Sequence, residues 1–147
     1  MKFNAYLAEV IGTLFLTTSI LGSAIAVSSL TEDGAVRLLC VAIATVVTLG
    51  LMISLLQPIS GAHFNPAVSL VALINKQIKA NEFVLMVISQ LIGAVLGAIV
   101  ANVMFNHSII ETSSVSRTGA VNFFSEMIAT AGLLLAIMMA KIGRAHV

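Results

Sequence analysis

Charge is scarce in this chain. Of its 147 residues only 9% are Asp, Glu, Lys or Arg, against about 25% in an ordinary soluble domain. So few charges cannot cover a solvated globular surface, and they exclude a coiled coil. The net charge is only +1, which excludes a basic nucleic-acid binder and predicts no acidic partner. Cysteine occurs once, as Cys40, so a disulfide framework and a cysteine zinc cluster are excluded. Proline occurs only twice, at Pro58 and Pro66. Apolar residues, by contrast, make up 59% of the chain, and the mean hydropathy is +1.11. Disorder is thereby excluded. What remains is an integral membrane protein with the lipid bilayer as its solvent, and the uncharged runs below make it an all-α helical bundle.

The positions of the few charges delimit the spans. Residues 10–31, 38–75, 83–110 and 127–140 carry none. Crossing the hydrocarbon core takes about 20 apolar residues. The gaps predict spans over 5–29, 38–56 and 83–105, and a fourth over 120–140 if Glu126 can be accommodated. The gap at 38–75 is too long for one span and short for two. Its middle reads Gln57-Pro58-Ile59-Ser60-Gly61-Ala62-His63-Phe64-Asn65-Pro66, a stretch expected to break the helix. The apolar run that follows Pro66 lasts about ten residues, or about 15 Å of helix, half a bilayer. Residues 57–75 therefore predict a re-entrant loop and half-helix. Non-helical backbone at that depth is tolerated only where it is buried in protein or lines a wet cavity.

The first apolar run is too long for a signal-peptide core and reads as a retained helix. Lys2, Lys76, Lys79 and Lys141 fall on one side of the membrane in this arrangement, and Arg37 and Arg117 on the other. The lysine side is expected to be cytoplasmic, with the N-terminus inside and the loop 106–118 outside.

The string Ser60-Gly61-Ala62-His63-Phe64-Asn65-Pro66-Ala67-Val68-Ser69 carries the strongest signal. Pro66 suits the first turn of a helix, and Asn65 before it suits the cap. A half-helix ending at mid-membrane would point free N–H groups and partial positive charge into an apolar tunnel. Such a point can hold a water or hydroxyl oxygen while repelling cations. An Asn-Pro pair alone also fits an ordinary helix start at a membrane surface.

Glu9 lies inside the first span, where a carboxylate costs about 3 kcal/mol on insertion scales and needs interior partners. Thr13 follows it at i+4, and Thr130 follows Glu126 at the same spacing. Residues 8–13 align with 125–130, an internal repeat that would be inverted in the membrane. The plainer reading sets both glutamates at the two interfaces. Gly93 and Gly97 form a small-xxx-small face one turn beyond Gln90, for close helix approach or for generic packing. His63 has no second His, Cys or carboxylate at ligand spacing, so no metal site is expected, and no cofactor.

The Ser60–Ser69 string resembles the first signature of the aquaporin and glycerol-facilitator family, the major intrinsic proteins. It matches that pattern at every position, and the likeness extends over most of residues 1–140. The resemblance implies a right-handed bundle with a pore in each subunit, assembled as a homotetramer in a cell membrane, plasma or inner. It implies that Asn65, Pro66 and Ala67 line the pore and that His63 lies near its cytoplasmic mouth. It implies that Glu9 and Glu126 are buried scaffolds that accept hydrogen bonds from pore-loop backbone, with Gln90, Ser60 and Gly61 supporting the loop. In the family an aromatic twenty residues before the signature Asn narrows the outer constriction. That position here is Thr45, and span 38–56 contains no aromatic. A wider or more polar constriction follows, with glycerol-like solutes, urea or metalloid acids as permeants beside water.

Two family features lie outside this sequence: the second Asn-Pro-Ala and the constriction arginine after it. Residues 1–117 read as the first repeat, and 118–140 as the first helix of an inverted second, giving four spans of six. Residues 141–147, Lys-Ile-Gly-Arg-Ala-His-Val, resemble the translation of a short-read sequencing adapter, although a natural basic end to the span would read similarly. The expected function is a passive, non-enzymatic channel for water or small neutral solutes, incomplete in this chain. An ion-coupled secondary transporter, an intramembrane hydrolase built on Ser60 and His63, and a non-functional gene fragment are the alternatives.

Overall fold

The computed structural model describes residues 3–111 and 118–145, the side chains of 140–145 excepted. Among the described residues five helices follow one another: α1 (Phe3–Ser28), α2 (Gly34–Ser60), α3 (Pro66–Ile74), α4 (Ala80–Met104) and α5 (Ala120–Ala145). Four are long and apolar enough to cross a membrane: α1, α2, α4 and the stretch Ala120–Met139 of α5. The fold is all-helical and that of a multi-pass membrane protein. It divides into two units, residues 1–111 with α1 to α4, and 112–147 with α5.

In the first unit α1 packs against both α2 and α4, and α3 packs on α4. The buried positions of α1 begin Ala5, Ala8, Glu9, Gly12 and Thr13. That spacing puts small residues on one helix face, so neighbouring backbones come close. A Cβ on Gly97 would stand 2.5 Å from the Leu14 carbonyl oxygen, and one on Gly93 would run into the Val10 carbonyl oxygen. Hydroxyls tie the same seams. Thr18 donates to the Gly97 carbonyl at 3.1 Å. Thr48 donates to Ser19 Oγ at 2.8 Å, and Ser19 to the Ala44 carbonyl at 3.3 Å. The outward faces are apolar, with Leu39, Val46, Val95 and Val103 all exposed, as a lipid-facing surface requires.

The second helix is longer than the charge gaps predict. It starts at Gly34, not residue 38, because Asp33 caps it by accepting from the Ala35 and Val36 N–H groups. Arg37 therefore lies within the first turn. Its guanidinium turns back to the Thr31 and Ser28 carbonyls and to Glu32, so it satisfies acceptors at the end of α1 and just beyond it. The helix also continues through Pro58 to Ser60, where a loop is expected from residue 57. Pro58 sits in the last turn, so its missing N–H removes a single internal bond there. Gly61 ends the helix at φ 90°, donating to the Gln57 carbonyl, as left-handed caps do. The non-helical stretch is thus only Gly61 to Asn65. The short helix after it has Asn65 as cap and Pro66 at its first position. The fourth helix starts at Ala80, before residue 83, and Glu82 Oε2 accepts from the Lys79 N–H at 2.9 Å.

The second unit is α5, a single helix whose apolar stretch has no buried residue. It runs on past residue 140 as far as Ala145.

Candidate functional site

Four residues from three parts of the chain converge on the buried carboxylate of Glu9. Glu9 is 0% exposed. Its Oε1 accepts from the Ser60 hydroxyl at 2.6 Å and the His63 backbone N–H at 3.0 Å. Its Oε2 accepts from the Phe64 backbone N–H at 2.7 Å and from Gln90 Nε2 at 2.8 Å. Every one of these partners is a donor, which is what a carboxylate with no cation beside it requires.

The loop geometry explains how two consecutive N–H groups can face one side chain. Ala62 has φ 51° and Phe64 φ 49°, left-handed values that cost a residue with a Cβ about 1–2 kcal/mol. Alternation of left-handed and ordinary backbone turns the N–H groups of 63 and 64 to the same side. Ser60 Oγ also accepts from the Ala62 N–H at 3.0 Å, so Ser60 links the helix end to the loop. The Phe64 ring is buried and lies on Gly12, where any Cβ would strike it. It packs with Met52 and Ala62, and Leu16, Leu49, Ile53 and Leu56 surround that cluster. Bent backbone is thus held by hydrogen bonds on one side and an aromatic plug on the other.

A second group joins the first through Gln90. Its Nε2 donates also to Ser69 Oγ at 3.0 Å, and Ser69 Oγ lies 3.0 Å from His63 Nδ1. Ser69 is fully buried and His63 nearly so. Gln90 Oε1 is buried with no hydrogen-bond partner among the described residues, a penalty of about 1–3 kcal/mol. The alternative amide orientation would set this oxygen against the Glu9 carboxylate, which is worse.

The structure therefore brings Glu9, Gln90, Ser60 and His63 together, with Gly61 forming the turn. Asn65, Pro66 and Ala67 follow at the start of α3. Asn65 Oδ1 accepts from the Ala67 N–H at 2.7 Å. With its oxygen so committed, the Asn65 amide keeps its two N–H donors on the opposite edge, and the residue is partly exposed. Replacing Asn65 by alanine is expected to lower stability by about 1 kcal/mol through loss of the cap, as read by denaturant unfolding in detergent. A loss below about 0.3 kcal/mol would mean that Pro66 alone starts the helix.

Thr45 is not part of this group. It is half-buried on α2 and donates to the Val41 carbonyl of its own helix at 2.7 Å. Glu126 lies on α5, exposed and without a hydrogen-bond partner among the described residues. It borders a shallow recess of about 380 Å³ with Phe123, Met127, Thr130, Ala131 and Leu134. Among the described residues no three His, Cys, Asp or Glu lie close enough to hold a metal. Sequence reasoning did not single out Phe64 or Gly12. Gly12 had a signal, as a glycine three residues after Glu9 on the face that the carboxylate shares, and Phe64 had none.

A lipid-facing helical unit that folds a half-helix back onto a buried carboxylate defines a class: membrane bundles with re-entrant loops. Over residues 1–146 the sequence matches the family "Major intrinsic protein", and the chain belongs to that family. The family is one of channels, not of enzymes. The chain is 38% identical to Aquaglyceroporin AqpS of Rhizobium meliloti (strain 1021) over 131 residues, 89% of this chain and 56% of that protein. It is 35% identical to Aquaporin TIP2-3 of Zea mays over 118 residues, 78% of this chain and 48% of that one. With Aquaporin-5 of Rattus norvegicus it shares 38% over 96 residues, 65% of this chain and 35% of the relative. The chain spans about half the length of the curated relatives it matches.

Proposed function

We propose that this chain forms half of a passive transmembrane channel for water and small neutral solutes. One observation carries the reading. The 61–65 backbone is clamped to Glu9, and the clamp presents the start of α3, where the Asn65 N–H donors have no acceptor among the described residues. A nine-residue half-helix beginning at such a point offers hydrogen-bond donors and partial positive charge. An oxygen-bearing neutral molecule is accepted there and a cation is repelled. The names of the relatives, aquaporins and an aquaglyceroporin, point the same way. In this reading Asn65, Pro66, Ala67 and His63 face the permeant, and Glu126 serves a second loop as Glu9 serves the first. The N-terminus and the Lys76–Lys79 turn lie on the cytoplasmic side of a cell membrane.

Thr45 and the aromatic-free α2 favour a wide constriction and solutes such as glycerol or urea. The test is stopped-flow swelling of vesicles bearing a full-length channel that contains this half, under water and solute gradients. Solute uptake beside water flow is expected. Thr45→Phe is expected to cut solute uptake about tenfold, equivalent to about 1.4 kcal/mol of barrier, and to leave water flow within about twofold. Water flow without solute flow in the parent protein would remove the wide-constriction reading. Flux that required an ion gradient would favour a coupled transporter, against which the four-donor saturation of Glu9 already weighs.

A further inference from the structure

We propose that Ser69 is a positioning residue that holds His63 in one neutral tautomer, with the ring proton on Nε2. The assignment follows from counting hydrogens along the buried chain Glu9, Gln90, Ser69, His63. A carboxylate can only accept. Gln90 must therefore turn its NH₂ group, not its oxygen, toward Glu9 Oε2 at 2.8 Å. The second hydrogen on that nitrogen is directed to Ser69 Oγ at 3.0 Å.

Ser69 is 0% exposed, so no solvent competes. Its oxygen already accepts from Gln90, and its single hydrogen needs an acceptor. No backbone carbonyl accepts from Ser69 Oγ among the described residues. The acceptor within reach is His63 Nδ1 at 3.0 Å. That nitrogen must then be bare, and a neutral ring carries its proton on Nε2. A ring protonated at Nδ1 would press a donor on the Ser69 oxygen and leave the hydroxyl hydrogen without a partner. Nε2 is on the side of the turn at Gly61, where a Cβ would lie 3.2 Å from it.

His63 is thereby an N–H donor at that edge and not an acceptor. Its use toward a permeant rests on the channel reading; the tautomer itself does not.

The experiment is nitrogen NMR of the full chain in lipid bilayers, labelled with ¹⁵N-histidine. His107→Asn and His146→Asn in the same chain leave the His63 ring as the sole signal. The expected spectrum shows a protonated Nε2 and a bare Nδ1, with a tautomer preference of at least about tenfold. Ser69→Ala is expected to bring the two tautomers within about threefold of each other, and Ser69→Thr, which keeps the hydroxyl, to restore the preference. An Nδ1-protonated ring in the parent chain overturns the assignment, and so does an alanine spectrum equal to the parent's. If the alanine variant does not fold, the parent and threonine spectra still decide. Absence of flux from the full-length channel together with a single Nε2–H tautomer would count against the channel and leave the positioning role standing.

Discussion

Replacing Glu9 by leucine is expected to destabilise the first unit by about 4 kcal/mol and to free the 61–65 loop. Four donors lose their acceptor at once. Ser60 and Gln90 can rotate toward other partners. The His63 and Phe64 N–H groups cannot, because the left-handed backbone at Ala62 and Phe64 holds them in place. Each buried N–H left unpaired costs about 1–3 kcal/mol, and Glu9, His63 and Phe64 are all buried, so solvent does not readily replace the bond. Relief of the buried charge offsets part of the loss, which is why the expected total stays well below four full penalties. Glu9→Gln keeps one oxygen acceptor and turns an amide NH₂ against the other donors, so about 2 kcal/mol is expected. Two measurements check this: denaturant unfolding in detergent, and hydrogen exchange at the amides of residues 63 and 64. Leucine-variant stability within about 1 kcal/mol of the parent, with those amides still protected, would show that the loop does not depend on the carboxylate.

The second large effect is expected at the α1–α4 seam. At Gly93 a methyl group would meet the Val10 carbonyl oxygen, with Thr13 Cβ only 3.0 Å away. At Gly97 it would lie 2.5 Å from the Leu14 carbonyl oxygen and 2.9 Å from Thr17 Cβ. These obstacles include backbone, so the helices must separate, and overpacking of this kind costs about 1–3 kcal/mol per site. Gly93→Ala with Gly97→Ala is therefore expected to lose about 4 kcal/mol in total. Separation also draws Gln90, one turn from Gly93, away from Glu9. The double variant should show faster exchange at the Phe64 amide as well as lower stability. Gly50→Ala is the control, because nothing lies within 4 Å of its Cβ position. There the change should be neutral, or stabilising by about 0.5–1 kcal/mol through helix propensity. Equal losses at Gly50 and Gly93 would refute the close-approach account.

These two expectations concern residues whose importance the sequence signals in different degrees. Glu9 stands out because a carboxylate inside an apolar run must find donors somewhere. Gly93 and Gly97 stand out because their spacing makes one helix face. Phe64 gave no such signal, since a single phenylalanine among many apolar residues has no pattern until Gly12 is seen beneath its ring. The helix boundaries show the same limit. The charge gaps located all four spans, because placing a charge in hydrocarbon is costly. They misjudged the ends of α2, because Asp33 and Arg37 make local hydrogen bonds that keep charges beside a helix that has already begun. Pro58 misled in the opposite direction, since a proline in a last turn removes only one bond.

What the sequence determined by itself is therefore the solvent, the class and the chemistry available. Scarce charge required a bilayer, apolar run lengths set the number of spans, and Asn65-Pro66 set the start of the half-helix. These are local quantities, fixed by transfer free energy and by the geometry of one helical turn. Only the tertiary structure decided which donors reach Glu9, how Gln90 is oriented, and that Ser69 and His63 meet. The bonds to Glu9 join residues 51 to 81 positions apart, and they depend on backbone separations that two glycines permit. Long-range hydrogen bonds of this kind leave no periodicity in a sequence, because each is set by the packing of two helices and not by the spacing within one.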